Sequence, residues 1–211
     1  MIRAFTTGIS VAALGLITAL PATAQEPTGG VVSIGGAVTE IVFALGAQRQ
    51  LVARDTTSSY PPEAAALPDV GYMRALSPEG VLATGPKLII AEEGAGPPET
   101  IEVLEQADIP FVTVPDDYTA EGVSAKIRAV GQALGKEPQA EALAAEVHQK
   151  LAEVSRATQD RPAAERKRVM FILSTQGGRI MASGTDTAAA SMIDLAGAVN
   201  AVTGFAGYKP I

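Results

Sequence analysis

The chain has 211 residues and a formal charge of −7. That mild acidity argues against nucleic acid, which asks for a basic face, and against a polybasic membrane surface. Hydrophobic residues make up 47% and aromatic residues only 4%, the profile of Ala-rich helices around Val/Ile strands, and the length allows one large core or two modest ones.

Residues 1–24 read as a signal peptide. Arg3 supplies a short positive start, and Ile9 to Leu20 is an apolar run too short to span a bilayer comfortably. Ala22-Thr23-Ala24 is a small-residue cleavage signature, which makes Gln25 the mature N-terminus. The competing reading keeps the segment as a signal anchor. The chain contains no Cys, so an exported form has no disulfides and no lipid-bearing residue at the cleavage site. The mature protein is expected free of a membrane anchor, held in the periplasm of a two-membrane bacterium.

Val31-Val32-Ser33-Ile34 is a short apolar strand that runs into Gly35-Gly36. Val38, Ile41, Val42 and Leu45 then repeat at helical spacing, closed by Gly46. Leu51-Val52-Ala53 is a second strand, and residues 55–70 form a long loop rich in Ser and Pro. Ser77-Pro78-Glu79 marks a helix start, with Ser as N-cap, Pro in the first turn and an acid near the positive end. Leu88-Ile89-Ile90 reads as a buried strand, Pro97 to Ala107 as a helix and Pro110 to Val114 as another strand. Strands alternating with helices predict a parallel sheet with covered faces.

Beyond Thr119 the pattern changes. Thr119–Leu134 reads as one helix and Pro138 to roughly Gln159 as another, extending about 33 Å. The second reads either as an ordinary surface helix or as a strut between two lobes. Val169 to Leu173 starts a fresh strand, Ile180 to Ala182 continues the sheet, and Ala188 to Ala196 is a helix. The expected organisation is an N-terminal α/β lobe over residues 25–135, a linking helix over 136–160 and the start of a C-terminal α/β lobe over 161–211. A weak internal echo joins Leu45-Gly46-Ala47 followed by Gly71-Tyr72-Met73 to Leu195-Ala196-Gly197-Ala198 followed by Gly207-Tyr208-Lys209-Pro210. On that echo the second lobe is expected to be incomplete at Ile211 by roughly 50–80 residues.

Nucleophile-elbow, phosphate-loop and dinucleotide motifs are absent from the sequence, so no enzyme activity is expected. Gly35-Gly36 opens a helix and would suit either a phosphate or a tight turn. His148, the one histidine, sits among Glu146, Gln149 and Lys150 and reads as a solvated helix residue. Tyr72 stands out because a phenolate is a hard, anionic oxygen donor suited to ferric iron, and tyrosine is a known axial ligand of haem. Arg74 follows at i+2. In an extended loop the two side chains point the same way, so the guanidinium could reach the phenolate oxygen or a haem propionate. By residue type alone Tyr60, Tyr118 and Tyr208 are as eligible, and Tyr72 reads equally as a packed loop aromatic beside a solvated Arg74.

The segments Val31 to Ile41, Leu45-Gly46, Gly71-Tyr72-Met73-Arg74-Ala75-Leu76-Ser77-Pro78-Glu79 and Phe171-Ile172-Leu173-Ser174 together resemble the periplasmic haemin-binding proteins of bacterial haem ABC transporters, within the wider family that binds ferric siderophores and vitamin B12. The resemblance runs from about residue 30 to the end. It implies two Rossmann-like α/β lobes joined by one long helix, with ligand in the cleft between them. It also implies that Tyr72 is the axial ligand of a ferric haem, with Arg74 beside it. Glu79 matches the N-lobe acid that docks against arginines of the inner-membrane ABC permease. An outer-membrane haem receptor system upstream would supply the haem. Some relatives use a second, histidine ligand after the strand at 169–173, but here that region reads Ser174-Thr175-Gln176-Gly177, which favours tyrosine alone. The alternatives are a ferric-siderophore or corrinoid carrier of the same family, an exported enzyme on a similar fold, and a haem sensor or scavenger without a permease.

Overall fold

The computed structural model describes residues 30–159 and 162–211. The signal segment at 1–24 lies outside the described residues. Among those described, no helix is long and apolar enough to cross a membrane.

Four parallel strands form the first sheet: β1 (Val31–Ile34), β2 (Leu51–Arg54), β3 (Leu88–Glu92) and β4 (Phe111–Val114), in the order β2-β1-β3-β4. The central strand β1 is buried along its whole length, which explains its unbroken apolar run. Period two divides its side chains between two cores. Val31 packs with Ile90 and Val114 against α1 (Gly36–Ala44), α4 (Ala120–Ala133) and α5 (Glu137–Gln159). Val32 and Ile34 pack with Ile89 against Val81 of α2 (Pro78–Leu82), Leu104 of α3 (Pro98–Glu105) and the loop residues Val70 and Leu76.

The helix starts follow their caps. Ser77 Oγ accepts the Gly80 N–H at 3.0 Å, and Thr119 Oγ1 accepts the Gly122 N–H at 2.9 Å. The helix α5 has 23 residues, about 34 Å at 1.5 Å per residue. It leaves α4 through a close crossing in which a Cβ at Gly131 would lie 2.1 Å from that of Ala140.

At its far end α5 meets the second lobe, where Thr158 Oγ1 donates to the Leu195 carbonyl at 3.0 Å, at the end of α6 (Ala188–Leu195). The predicted strand at 169–173 divides between two sheets. Its first part, β5 (Arg168–Val169), pairs in parallel with β8 (Val199–Asn200). Its second, β6 (Ile172–Ser174), pairs antiparallel with β7 (Met181–Ser183), which pairs in turn with β9 (Tyr208–Pro210). The architecture is therefore two α/β lobes joined by a long helix, as expected. The internal echo is partly structural. Thr56 donates to the Gly71 carbonyl at 2.9 Å, and Gly184 donates to the Gly207 carbonyl at 2.8 Å. The copies then diverge, because Tyr72 enters a turn and Tyr208 enters β9.

Candidate functional site

A cavity of about 470 Å³ lies between the lobes, within the range of small-molecule sites. One wall comes from the carboxyl ends of the first sheet's strands: Ala37 after β1, Glu92 closing β3, and Asp116 to Ala120 after β4, joined by Val123 and Lys126 of α4. Crevices at the carboxyl ends of parallel strands are where open α/β sheets bind ligands. The opposite wall is Leu151 of α5, with Ala188, Ser191, Met192 and Leu195 of α6 and Tyr208. Arg74 completes the lining from the loop before α2.

Arg74 is the cation of this lining with no acid partner among the described residues. Lys126 is differently placed. Its side chain is 9% exposed, and its ammonium bonds both Glu92 and Asp116, the latter at 2.7 Å. Burial works against that charge, but the bonds and charges of Asp116 and Glu92 outweigh it and hold the lysine above its ordinary pKa. Tyr118 moves the other way as a ligand. Burial, then the neighbouring Asp116 carboxylate, pushes its phenol up and makes the phenolate harder to form.

Tyr72 is 49% exposed, and its side chain does not contribute to the cavity lining, though Arg74 two positions on does. The extended loop expected for this pair is not what forms. Ala75 donates to the Tyr72 carbonyl at 2.8 Å, so residues 72–75 make a turn and the i, i+2 argument for a shared direction fails. What fixes the turn is long-range. Gly71 has φ 100, which favours glycine, and its N–H donates to Asp69 Oδ1 at 2.8 Å. Gly96 donates to the Met73 carbonyl at 2.8 Å, and Leu76 donates back to the Gly96 carbonyl at 2.9 Å. Asp69 also bonds Arg54 at 2.6 Å. Burial opposes its charge, yet the Gly71 N–H, Thr56 and Arg54 together hold its carboxyl below the usual range. The Tyr72 side chain thus stands on a backbone tied at both ends.

Gly35-Gly36 proves to be a tight turn already filled by the protein itself. Its N–H donates to Asp55 Oδ1 at 2.9 Å, and a Cβ at Gly35 would lie 2.7 Å from Glu92. Glu79 is exposed in the first turn of α2, and His148 borders a separate groove between α4 and α5. Among the described residues no group of three His, Asp or Glu could hold a metal ion.

Sequence reasoning missed Asp69, Lys126, Asp116 and the α6 wall. For Asp69 a signal was present, since Asp-x-Gly is the spacing at which a carboxylate caps its own turn. The others meet only through the fold.

A profile of the family described as periplasmic binding protein matches residues 31–211. Among solved structures, the periplasmic heme-binding protein RhuT from Roseiflexus sp. RS-1 is 36% identical with a TM-score of 0.82, over 87% of this chain and 70% of that one. The periplasmic heme-binding protein BhuT, in complex with two hemes, is 40% identical with a TM-score of 0.75, over 86% of this chain and 70% of its own. Among curated relatives, the vitamin B12-binding protein of Pectobacterium atrosepticum is 29% identical over 81% of this chain. The chain spans 61% of that relative's length.

Proposed function

The chain belongs to the periplasmic binding protein family, and on that premise we propose that it is a haem carrier of the periplasm, which delivers ferric haem to an inner-membrane ABC importer and performs no chemistry on it. The observation that carries this reading is the loop at 71–79. It presents a half-exposed tyrosine on a tethered turn, next to the cation of the cavity that has no acid partner. Likeness to solved heme-binding proteins at 36% and 40% identity supports the same ligand. In this reading the Tyr72 phenolate ligates the ferric iron, the porphyrin face lies on Ala37, Val123, Leu151, Met192 and Leu195, and Arg74 meets a propionate or the ligated oxygen. The signal at 1–24 exports the protein, and an outer-membrane haem receptor system stands upstream.

Titration with haemin tests it, followed through the Soret band with cyanocobalamin as competitor. Haemin should bind at equimolar ratio and cyanocobalamin should not displace it. Displacement would favour the corrinoid reading, which the vitamin B12-binding relatives support.

Two variants divide the roles. Arg74→Ala should still bind haemin but with affinity lower by roughly 10–100-fold, the cost of a charge-assisted bond of about 1.5–3 kcal/mol. Unchanged affinity would leave Arg74 a solvated side chain. Glu79→Lys should bind haemin normally yet lose most transport, because a reversed charge would face the permease's arginines. If Glu79 serves only the dipole of α2, transport in that variant should be normal, with stability lower by about 0.3–1 kcal/mol.

A further inference from the structure

The charges that line the cavity are unevenly distributed. Arg74 and Lys126 are its cations, and Glu92, Asp116 and Asp117 its acids. Lys126 is held by Glu92 and Asp116 together, so its charge is spent inside the protein. Asp117 gives one carboxylate oxygen to the Thr119 N–H at 2.8 Å and has no cation beside it among the described residues. The surplus negative charge therefore sits in the loop after β4, and the unspent positive charge sits at Arg74.

These two segments reach the cavity from different parts of the first sheet's carboxyl end. The backbone before Arg74 leaves β2, where Arg54 and Asp69 form a parallel bridge, and crosses to the loop after β3, where Met73 and Leu76 on either side of Arg74 bond Gly96. Asp116 and Asp117 follow β4. A ligand in the cavity would thus meet positive charge at Arg74 and negative charge in the loop after β4.

We propose that Asp116 and Asp117 are specificity-determining residues, which repel anionic groups from the α4 end of the cavity and so restrict the site to porphyrins whose carboxylates lie along one edge. This rests on the haem reading and narrows it. Haem carries its two propionates on one edge and apolar vinyl groups on the other. Ferric coproporphyrin III has the same iron and ring, but propionates replace the vinyls. Its second carboxylate edge would face Asp116 and Asp117, where like charges meet in a partly desolvated site.

The test is a paired titration of the whole protein with haemin and with ferric coproporphyrin III. The wild type should bind the tetracarboxylate at least about tenfold more weakly than haemin. Asp116→Asn and Asp117→Asn are nearly isosteric, and both leave the Lys126–Glu92 pair in place. Each should keep haemin affinity within about threefold and tighten binding of the tetracarboxylate by several-fold, most strongly at low ionic strength. Equal wild-type affinity for the two porphyrins would overturn the proposal and leave haem binding standing. So would two variants that retain haemin yet gain nothing for the tetracarboxylate. A wild type that binds neither porphyrin counts against the haem reading itself, and the inference then falls with it. Should one variant lose haemin through misfolding, the other decides.

Discussion

Tyr72→Ala should lose more haemin affinity than any other single change at the site. Loss of a partner behind a metal ligand costs roughly 10–100-fold, and loss of the ligand itself should exceed that. The ferric spectrum should change with it, because removal of the phenolate leaves water or a weaker donor on the iron. Tyr60→Phe serves as the control, since neither Tyr60 nor any residue within two positions of it lines the cavity, whereas Arg74 does so two positions after Tyr72. Tyr118→Phe is the more demanding comparison. Tyr118 lines the cavity, but burial and Asp116 make its phenolate costly, so its loss should leave the ferric spectrum as it was. A Tyr72 variant with unaltered spectrum and affinity would remove this residue from the iron. A spectral change in Tyr118→Phe instead would move the ligand across the cavity.

Much of the fold was legible because its signals are local. Val31 to Ile34 and Leu88 to Ile90 read as strands since buried parallel strands need apolar side chains on both faces. Thr119 and Ser77 announced their helices through caps that act within three residues. The site was less legible because it is assembled at long range. The turn at Tyr72 depends on Gly96 and Thr56, far from it in sequence. Lys126 sits on an amphipathic helix where lysine ordinarily faces water, and its acids come from 34 and 10 residues away. The strand predicted at 169–173 was right in direction but not in pairing. Val169 lies beside β8 and Ile172 beside β7, a change of partner that no periodicity encodes.

The second large effect should come from a residue that touches no ligand. Asp55 is fully buried in the stretch that the sequence marks only as a Ser- and Pro-rich loop. Its Oδ1 accepts the Gly35 N–H at 2.9 Å and the Ser58 hydroxyl at 2.7 Å, while Oδ2 accepts the Thr57 N–H at 2.9 Å and the Thr57 hydroxyl at 2.7 Å. Ser58 extends the chain to Thr39, and Thr39 extends it to Ser33, each at 2.7 Å. One carboxylate thereby ties the end of β1, the start of α1 and the loop after β2. Each bond to a charged acceptor is worth about 1.5–3 kcal/mol, and the bonds do not add fully. Asp55→Ala leaves buried donors unpaired and should cost about 3 kcal/mol, lowering Tm by roughly 6–12 °C. Asp55→Asn separates hydrogen bonding from packing. It keeps the volume but turns an amide NH2 group toward at least one of the donors, so it too should destabilise, by about half as much or more. A silent Asn variant would mean that Asp55 merely fills space. Because Thr56 holds the carbonyl of Gly71, the same loop supports the Tyr72 turn. Haemin affinity measured well below the melting transition should therefore fall in Asp55→Ala, but by less than in Tyr72→Ala. A loss as deep as that of the ligand variant, in a chain that remains folded, would show that the turn is held by Asp55 more than by its own bonds to Asp69 and Gly96.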